Sequence, residues 1–462
     1  MKSRSIGTRT AWLVAMLLSL ALVEARQGQV PTANPQGVTA PPVFKDADPI
    51  PEPMRQETFR MVWETVRDKY FDATLAGVDW NAVRTRYEPR LTEATTSKAL
   101  HDLLDRMVQE LPVSHLRVQG PGSTNVVAPD SMAPDTVVLR AGDEGILVFS
   151  VPENSPAWRA GLRPGYRVLA VGPTTLPDLA TIREAPLAPL TQAVRLLAGP
   201  PSSEVQVRVL DGQTQERTLT LARSAPFKQR ANLGHAEVRS SRVRPRIGYV
   251  WFDGWGIDLP ARLEPILAGL GDTDGFVIDL RQNRGGMNPG VDRLAKFLLA
   301  DAGLVAVQTT RAGERREWRH EGSGAAAYRG KVAILIDEGS GSASEVFAAF
   351  MQDRGRAIVV GRASYGGVLS STQLQLPTGG VLQYPHSDMT TPNGRRIEGR
   401  GVVPDIAVEL KRADLLAGKD TVLERAIEAV TRPAPRTSVL PGRQRQELRN
   451  DAGGAFPVAH RS

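Results

Sequence analysis

The sequence predicts a layered α/β protein preceded by a helical domain, with a β-rich domain inserted between the two. Three observations predict this. Apolar residues recur at helical spacing within residues 55–118, at Phe59, Val62, Trp63, Val66 and Tyr70 and again at Leu100, Leu103, Leu104, Met107 and Leu111. Over residues 136–224 the runs become short and β-rich: Val137-Val138-Leu139, Gly145 to Phe149, Tyr166 to Val171 and the alternating Val205 to Val209. Over residues 245–431 strand and helix patterns alternate, which argues for partly parallel strands layered with helices.

Lys2, Arg4 and Arg9 precede the apolar run Ala11 to Val23, and Val23-Glu24-Ala25 offers small residues for cleavage after Ala25. Residues 1–25 are therefore expected to be a signal peptide, since the run is too short to span a bilayer comfortably. Residues 26–54, rich in Pro, Gln and Ala, read as a linker. In the α/β part we expect strands at Ile247–Phe252, Gly275–Leu280, Lys331–Ile336 and Ala357–Val360, and helices at Ala261–Leu270, Gly290–Leu299, Ala343–Gln352 and Thr421–Val430. Thr372–Leu376 and Val381–Tyr384 form a hairpin around Pro377-Thr378-Gly379-Gly380. Residues 432–462 read as a disordered basic tail.

Of the net charge of +7, +2 falls in the first 25 residues and +4 in the tail, where six arginines oppose Glu447 and Asp451; +1 remains for the body. The basic balance is an end effect and does not point to nucleic acid. There is no cysteine, which excludes disulfides, thiolate metal sites and a cysteine nucleophile. With no second long apolar stretch, an exported protein, periplasmic or secreted and without stable membrane insertion, is expected. No metal or cofactor is expected.

The chemistry concentrates at two strand ends. Asp337-Glu338-Gly339-Ser340-Gly341-Ser342-Ala343-Ser344-Glu345 breaks the apolar strand into a small, flexible turn and re-forms as a helix, so a serine there meets free N–H groups and the helix dipole. Asp279-Leu280-Arg281-Gln282-Asn283-Arg284-Gly285-Gly286 also follows a buried strand, and its paired glycines let backbone amides approach a ligand.

Ser155-Pro156-Ala157-Trp158-Arg159-Ala160-Gly161-Leu162-Arg163-Pro164-Gly165 resembles the helix and turn of a PDZ domain. That resemblance implies a PDZ-like domain in which a peptide adds as a strand, its terminal carboxylate held by the backbone of Gly145-Ile146-Leu147. The DLR-x-N-x-GG run followed by GS-x-SASE resembles the carboxyl-terminal processing, or tail-specific, serine peptidase family, over roughly residues 55–431. The resemblance implies a crotonase/ClpP-like core acting on protein or peptide substrates. It implies Ser342 as nucleophile, ahead of Ser340 and Ser344, and oxyanion donors at Gly285 or Gly286 and at Ala343. Rings and cages among relatives leave room for a homo-oligomer.

The chain departs from the Ser–Lys pattern of many members. Gly361-Arg362-Ala363-Ser364-Tyr365-Gly366-Gly367-Val368 carries glycine at the lysine position, and Lys331 opens its strand at the far end. Leu111-Pro112-Val113-Ser114-His115 and Glu398-Gly399-Arg400-Gly401-Val402-Val403-Pro404-Asp405 instead resemble elements of the tricorn protease core, which uses serine, histidine and glutamate. The carry-over gives His115 as base, Glu398 as its orienter and Ser114 as a bridge. An imidazole is largely neutral at pH 7 without help, whereas a lysine needs its pKa lowered by about 3 units. His386 is the rival base, and Glu398, among Arg395, Arg396 and Arg400, also reads as a solvated loop charge. A peptide-binding homologue that has lost catalysis is the alternative to an exported endopeptidase.

Overall fold

The computed structural model describes residues 44–121, 132–133, 137–226 and 236–431. The expected signal peptide, the linker up to residue 43, residue 136 at the start of the β-rich segment and the basic tail lie outside the described residues. The rest is a mixed α/β structure.

Helices Glu52–Lys69, Trp80–Tyr87 and Ser97–Val108 form the N-terminal part. The Asp79 and Thr96 side chains accept from Ala82 N–H and Ala99 N–H, satisfying orphan donors at two helix starts. The apolar stripes read from the sequence bury Phe59, Trp63, Leu100, Leu104 and Met107 in one core. That core is not confined to the helices: Leu116, Val118, Leu376, Leu382 and Tyr384 complete it. Strand Arg117–Gln119 pairs antiparallel with Val381–Gln383. The helical segment is thus stitched into a sheet formed by residues far along the chain, and the stitch lies two residues past His115.

That sheet runs in the order Arg117–Gln119, Val381–Thr390, Gly303–Thr310, Arg315–His320, with Ser370–Gln375 also on Val381–Thr390. The expected hairpin is present, its second strand longer than its apolar run. The strands Gly303–Thr310 and Arg315–His320 were not expected; the latter reads RREWRH, with its polar face to solvent.

The second sheet orders Val238–Arg244, Ile247–Phe252, Gly275–Asp279, Lys331–Ile336, Ala357–Gly361 and Ile406–Ala407. All its pairings are parallel except that of the first two strands. Helices Leu259–Leu270, Pro289–Leu298 and Ala343–Asp353 pack with one face of this sheet in the largest core, and Thr421–Thr431 packs on the other. A buried parallel sheet reads as continuous apolar runs, which is why these strands were visible in the sequence.

The β-rich segment is an antiparallel sheet ordered Val138–Gly142, Gly145–Ser150, Arg167–Val171, Glu204–Leu210, Glu216–Ala222. Helix Leu187–Leu197 packs over it.

The position of Gly145-Ile146-Leu147 corrects one expectation. These residues lie in an inner strand, with Leu147 opposite Arg140 on one side and Arg167 on the other. Ile146 and Leu147 are fully buried, and Leu147 packs on Leu410 and Leu415. A strand paired on both sides has no row of N–H groups to offer a carboxylate. The edge strands of this sheet are Val138–Gly142 and Glu216–Ala222.

Candidate active site

Strand Lys331–Ile336 ends at Asp337, whose carboxylate accepts from Gly339 N–H at 3.0 Å and Gln282 N–H at 2.7 Å. These bonds fold the turn back onto the neighbouring strand end. Two serines of the turn are spent on structure. Ser340 Oγ donates to Leu280 O at 2.8 Å, and Ser344 Oγ donates to Asn283 O at 2.9 Å while accepting from Trp255 Nε1 at 2.8 Å. Both are fully buried, whereas Ser342 is half-buried. Ser342 occupies the N-cap of helix Ala343–Asp353 with φ +54° and ψ −119°. Its N–H donates to Gly367 O at 2.9 Å and to Glu345 Oε2 at 3.0 Å.

The glycine pair lies against this serine. A Cβ at Gly285 would sit 2.5 Å from Ser342 Cβ and 2.8 Å from Ala343 N, so no other residue fits. A Cβ at Gly286 would strike Trp255 O at 2.5 Å. The two amides differ. Gly285 N–H donates to Asn283 Oδ1 at 3.0 Å, and Asn283 is itself anchored to Phe252 O at 2.9 Å. Among the described residues no acceptor faces Gly286 N–H or Ala343 N–H. Ala343 is the first residue of its helix, where an N–H has no intrahelical acceptor.

Ser114, His115 and Glu398 meet although 284 positions separate the first from the last. Glu398 Oε1 accepts from Ser114 N–H at 2.9 Å, and Oε2 accepts from Ser114 Oγ at 3.0 Å and from Val368 N–H at 2.8 Å. Ser114 Oγ lies 2.6 Å from His115 Nδ1. Glu398 is therefore a buried, fully engaged carboxylate rather than a solvated loop charge. His115 takes φ +59°, a left-handed turn between helix and strand. Burial lowers its pKa below the usual histidine value; nearby Glu398 opposes this and Arg117 adds to it.

The segment Gly366–Val368 joins the two groups. Gly367 O holds Ser342 N–H, Val368 N–H holds Glu398, and a Cβ at Gly367 would lie 3.0 Å from Ser114 Cβ. That same Cβ would fall 2.6 Å from Tyr365 Cε1. Tyr365 and Ser114 thus crowd Gly367 and leave it no room for a side chain. A cavity of about 490 Å³ opens beside Ser114, His115, Arg117 and Tyr365.

The other candidates lie elsewhere. Lys331 pairs with Gly275 at the opposite end of the strand from Ser342. His386 sits on strand Val381–Thr390, its pKa lowered by burial and by Arg316, which lies on the exposed edge strand.

Glu345 was not singled out from the sequence. Fully buried, it accepts from Ser342 N–H (3.0 Å), Gly367 N–H (2.8 Å), Gly366 N–H (2.6 Å) and Ser364 Oγ (2.5 Å). The spacing Ser342-x-x-Glu345, a capping box, was its signal.

The model of Peptidase family S41 matches residues 246–408, and that of the Tricorn protease C1 domain matches residues 51–109. Carboxyl-terminal-processing peptidase 2, chloroplastic, of Arabidopsis thaliana is 28% identical over 362 residues, covering 75% of this chain and 67% of the relative. The carboxyl-terminal-processing protease of Synechocystis sp. is 25% identical over 397 residues, covering 81% and 87%. Two solved structures share the fold. The photosystem II D1 C-terminal processing protease has a TM-score of 0.55 at 22% identity, over 82% of this chain and 98% of that one. Mature CPAF complexed with lactacystin has a TM-score of 0.59 at 13% identity, over 82% and 97%. The family matches and relatives support kinship with the carboxyl-terminal processing peptidases, and the chain is a serine peptidase, a hydrolase.

Proposed function

We propose that this serine peptidase is an exported endopeptidase that cuts protein substrates with Ser342 as nucleophile and His115, not a lysine, as general base. The observation that carries the reading is the hydrogen-bonded chain Glu398–Ser114–His115, which shares the segment Gly366–Val368 with the backbone of Ser342.

The donor pattern supports one tautomer of the imidazole. Ser114 Oγ donates to Glu398 Oε2. Ser114 Oγ then accepts from His115 Nδ1–H, which leaves the lone pair on Nε2. His115 Nε2 takes the proton of Ser342 Oγ as Oγ bonds to the scissile carbonyl carbon. Gly286 N–H and Ala343 N–H, the amides without a partner, receive the developing oxyanion, while Gly285 N–H stays with Asn283 and shapes the turn. The imidazolium returns the proton to the leaving amine as the C–N bond breaks. Water, deprotonated by the same imidazole, then releases the acyl group. The β-rich sheet acts as a PDZ-like domain that captures or gates substrate. One of its two edge strands, Val138–Gly142, rather than Gly145-Ile146-Leu147, is the strand to which a peptide adds.

Ser342→Ala is expected to abolish both hydrolysis of an unfolded protein and labelling by a fluorophosphonate. His115→Ala should lose about 10³-fold or more in kcat, and His386→Ala should keep wild-type activity. Because burial depresses the His115 pKa, the neutral base survives to lower pH, and the acid limb of kcat/KM should have its midpoint below 6.5. Wild-type cleavage by His115→Ala, or a midpoint above that value, would remove the imidazole from the mechanism.

A further inference from the structure

Between the β-rich segment and the turn that carries Ser342 lies a cluster of charge that the mechanism does not use. Arg140, on strand Val138–Gly142, reaches Asp337 at 3.0 Å. Arg362 reaches the other way, to Ala141 O at 2.8 Å, and holds Glu338 at 2.6 Å. Phe149, on the neighbouring strand Gly145–Ser150, is flanked by the guanidinium groups of Arg140 and Arg281, 4.8 and 5.3 Å from its ring centre.

The charges of this cluster do not balance. Arg281 faces both Asp279 and Asp420, and Arg362 faces both Glu338 and, at 3.5 Å, the exposed Glu409. With Arg140 and Asp337, three guanidinium groups meet five carboxylates. The two acids of the turn are unequally provided for. Asp337 accepts from Arg140, from Gln282 N–H and Nε2, and from Gly339 N–H. Burial works against its charge, yet Arg140, Gln282 and Arg362 hold its carboxyl below the usual value. Glu338 has less. Its Oε2 pairs with Arg362, but its Oε1 is closed off from solvent and meets no hydrogen-bond donor. A sealed carboxylate oxygen without a donor is costly, and the ionised neighbour Asp337 adds repulsion; one proton relieves both. Burial, and then the charge of Asp337, hold the Glu338 carboxyl up at about 7, against Arg362, its own backbone amide and Arg140.

What Glu338 presses on matters to the reaction. Asp337 ties together the starts of both reacting turns, Gly339 on the way to Ser342 and Gln282 on the way to Asn283 and the glycine pair. Neutral Glu338 still accepts from Arg362 and leaves Asp337 to Arg140. Ionised Glu338 adds a second, poorly satisfied negative charge beside the carboxylate that holds those turns.

We propose that Glu338 is a positioning residue for the hydrolysis: while protonated it lets the Asp337 turn stay seated against Arg140 and the β-rich segment, and on ionising it loosens that turn and slows the reaction. This rests on the assignment of Ser342 as nucleophile. A carboxyl raised in the folded chain binds its proton more tightly there than in the unfolded chain. Its contribution to stability is therefore present at acid pH and is lost as pH rises from the ordinary glutamate range to about 7.

The test measures kcat of the full chain on one unfolded protein substrate across pH, for the wild type and for Glu338→Gln, which is neutral at every pH. An imidazole base alone gives a plateau on the alkaline side. The wild type should instead fall by about threefold or more between pH 6.5 and 8.5, with a midpoint near 7. Glu338→Gln should keep the acid limb and lose the alkaline one, and its urea midpoint should fall less than the wild type's between pH 5 and 8. Both proteins meet the same substrate, so ionisation of the substrate does not mimic a limb that the variant lacks. The wild-type profile needs no variant, so the proposal can fail on it alone. A flat or rising wild-type kcat from pH 6.5 to 8.5, or the same fall in Glu338→Gln, overturns the role of Glu338 while fluorophosphonate still labels Ser342. Absence of that label overturns the nucleophile as well.

Discussion

Ser342 holds a backbone, φ +54° and ψ −119°, that residues with a Cβ rarely adopt. Such a conformation costs roughly 1–3 kcal/mol and persists only where neighbours over-determine it. Here Gly367 O and Glu345 clamp the Ser342 amide from two directions. Ser342→Gly should therefore unfold at higher urea than wild type, by about 1 kcal/mol after its greater unfolded-state entropy is counted, whereas Ser342→Ala keeps the strain and gains nothing. Equal urea midpoints for the two variants would mean that the turn is relaxed. The same scale separates what the sequence carried from what it hid. Three serines in one turn were visible; which two are spent on structure was not, because Leu280 O, Asn283 O and Trp255 Nε1 arrive from other strands and loops. The glycine at residue 367 was visible; that Tyr365 and Ser114 crowd it was not.

At the scale of elements, one buried carboxylate holds the site's loops together. Glu345 projects from the first turn of helix Ala343–Asp353 and gathers Ser342, Ser364, Gly366 and Gly367. The segment it fixes carries Val368, which in turn holds Glu398. Glu345→Gln replaces one acceptor oxygen with an NH2 that points at amide donors. It should lower kcat by about tenfold or more with little change in KM and an unchanged far-UV spectrum, since the helix keeps its other bonds. A kcat within twofold of wild type would show that the loop holds itself. Legibility at this scale followed burial. Strands buried on both faces, such as Gly275–Asp279 and Lys331–Ile336, were readable as apolar runs. Arg315–His320 was not, because an edge strand with a solvated face spells RREWRH. Placing a carboxylate loop at Gly145-Ile146-Leu147 failed for a related reason. Edge or interior is a property of the assembled sheet, and period-2 spacing is the same in both. Ser114 and His115 were found only by resemblance to a short motif, and they fall outside both matched family segments. Their arrival depends on the pairing of Arg117–Gln119 with Val381–Gln383, which no local pattern encodes.

At the scale of the molecule, the β-rich segment is coupled to the site through polar contacts. Arg140, on one of its edge strands, donates to Asp337 at 3.0 Å with both side chains almost fully buried. Arg362 binds Ala141 O at 2.8 Å and Glu338 at 2.6 Å. Asp337 also anchors Gln282, whose φ of +62° leads the chain into Asn283 and the glycine pair. A peptide that added to Val138–Gly142, as proposed, would therefore contend with groups that shape the turn leading into the glycine pair. Arg140→Met should destabilise the chain by about 3–5 kcal/mol, because it leaves Asp337 charged and buried without its cation. Asp337→Asn should do the same to Arg140. The double substitution should cost much less than the sum, with a coupling of about 2 kcal/mol or more in urea unfolding at pH 7. In native buffer Arg140→Met should also lose kcat, although residue 140 lies on the inserted sheet and far in sequence from Ser342. Additive stabilities together with unchanged kcat would mean that the inserted sheet and the peptidase core merely adjoin. A coupling with unchanged kcat would mean that the pair holds the two together without tensioning the turn that carries Gly286.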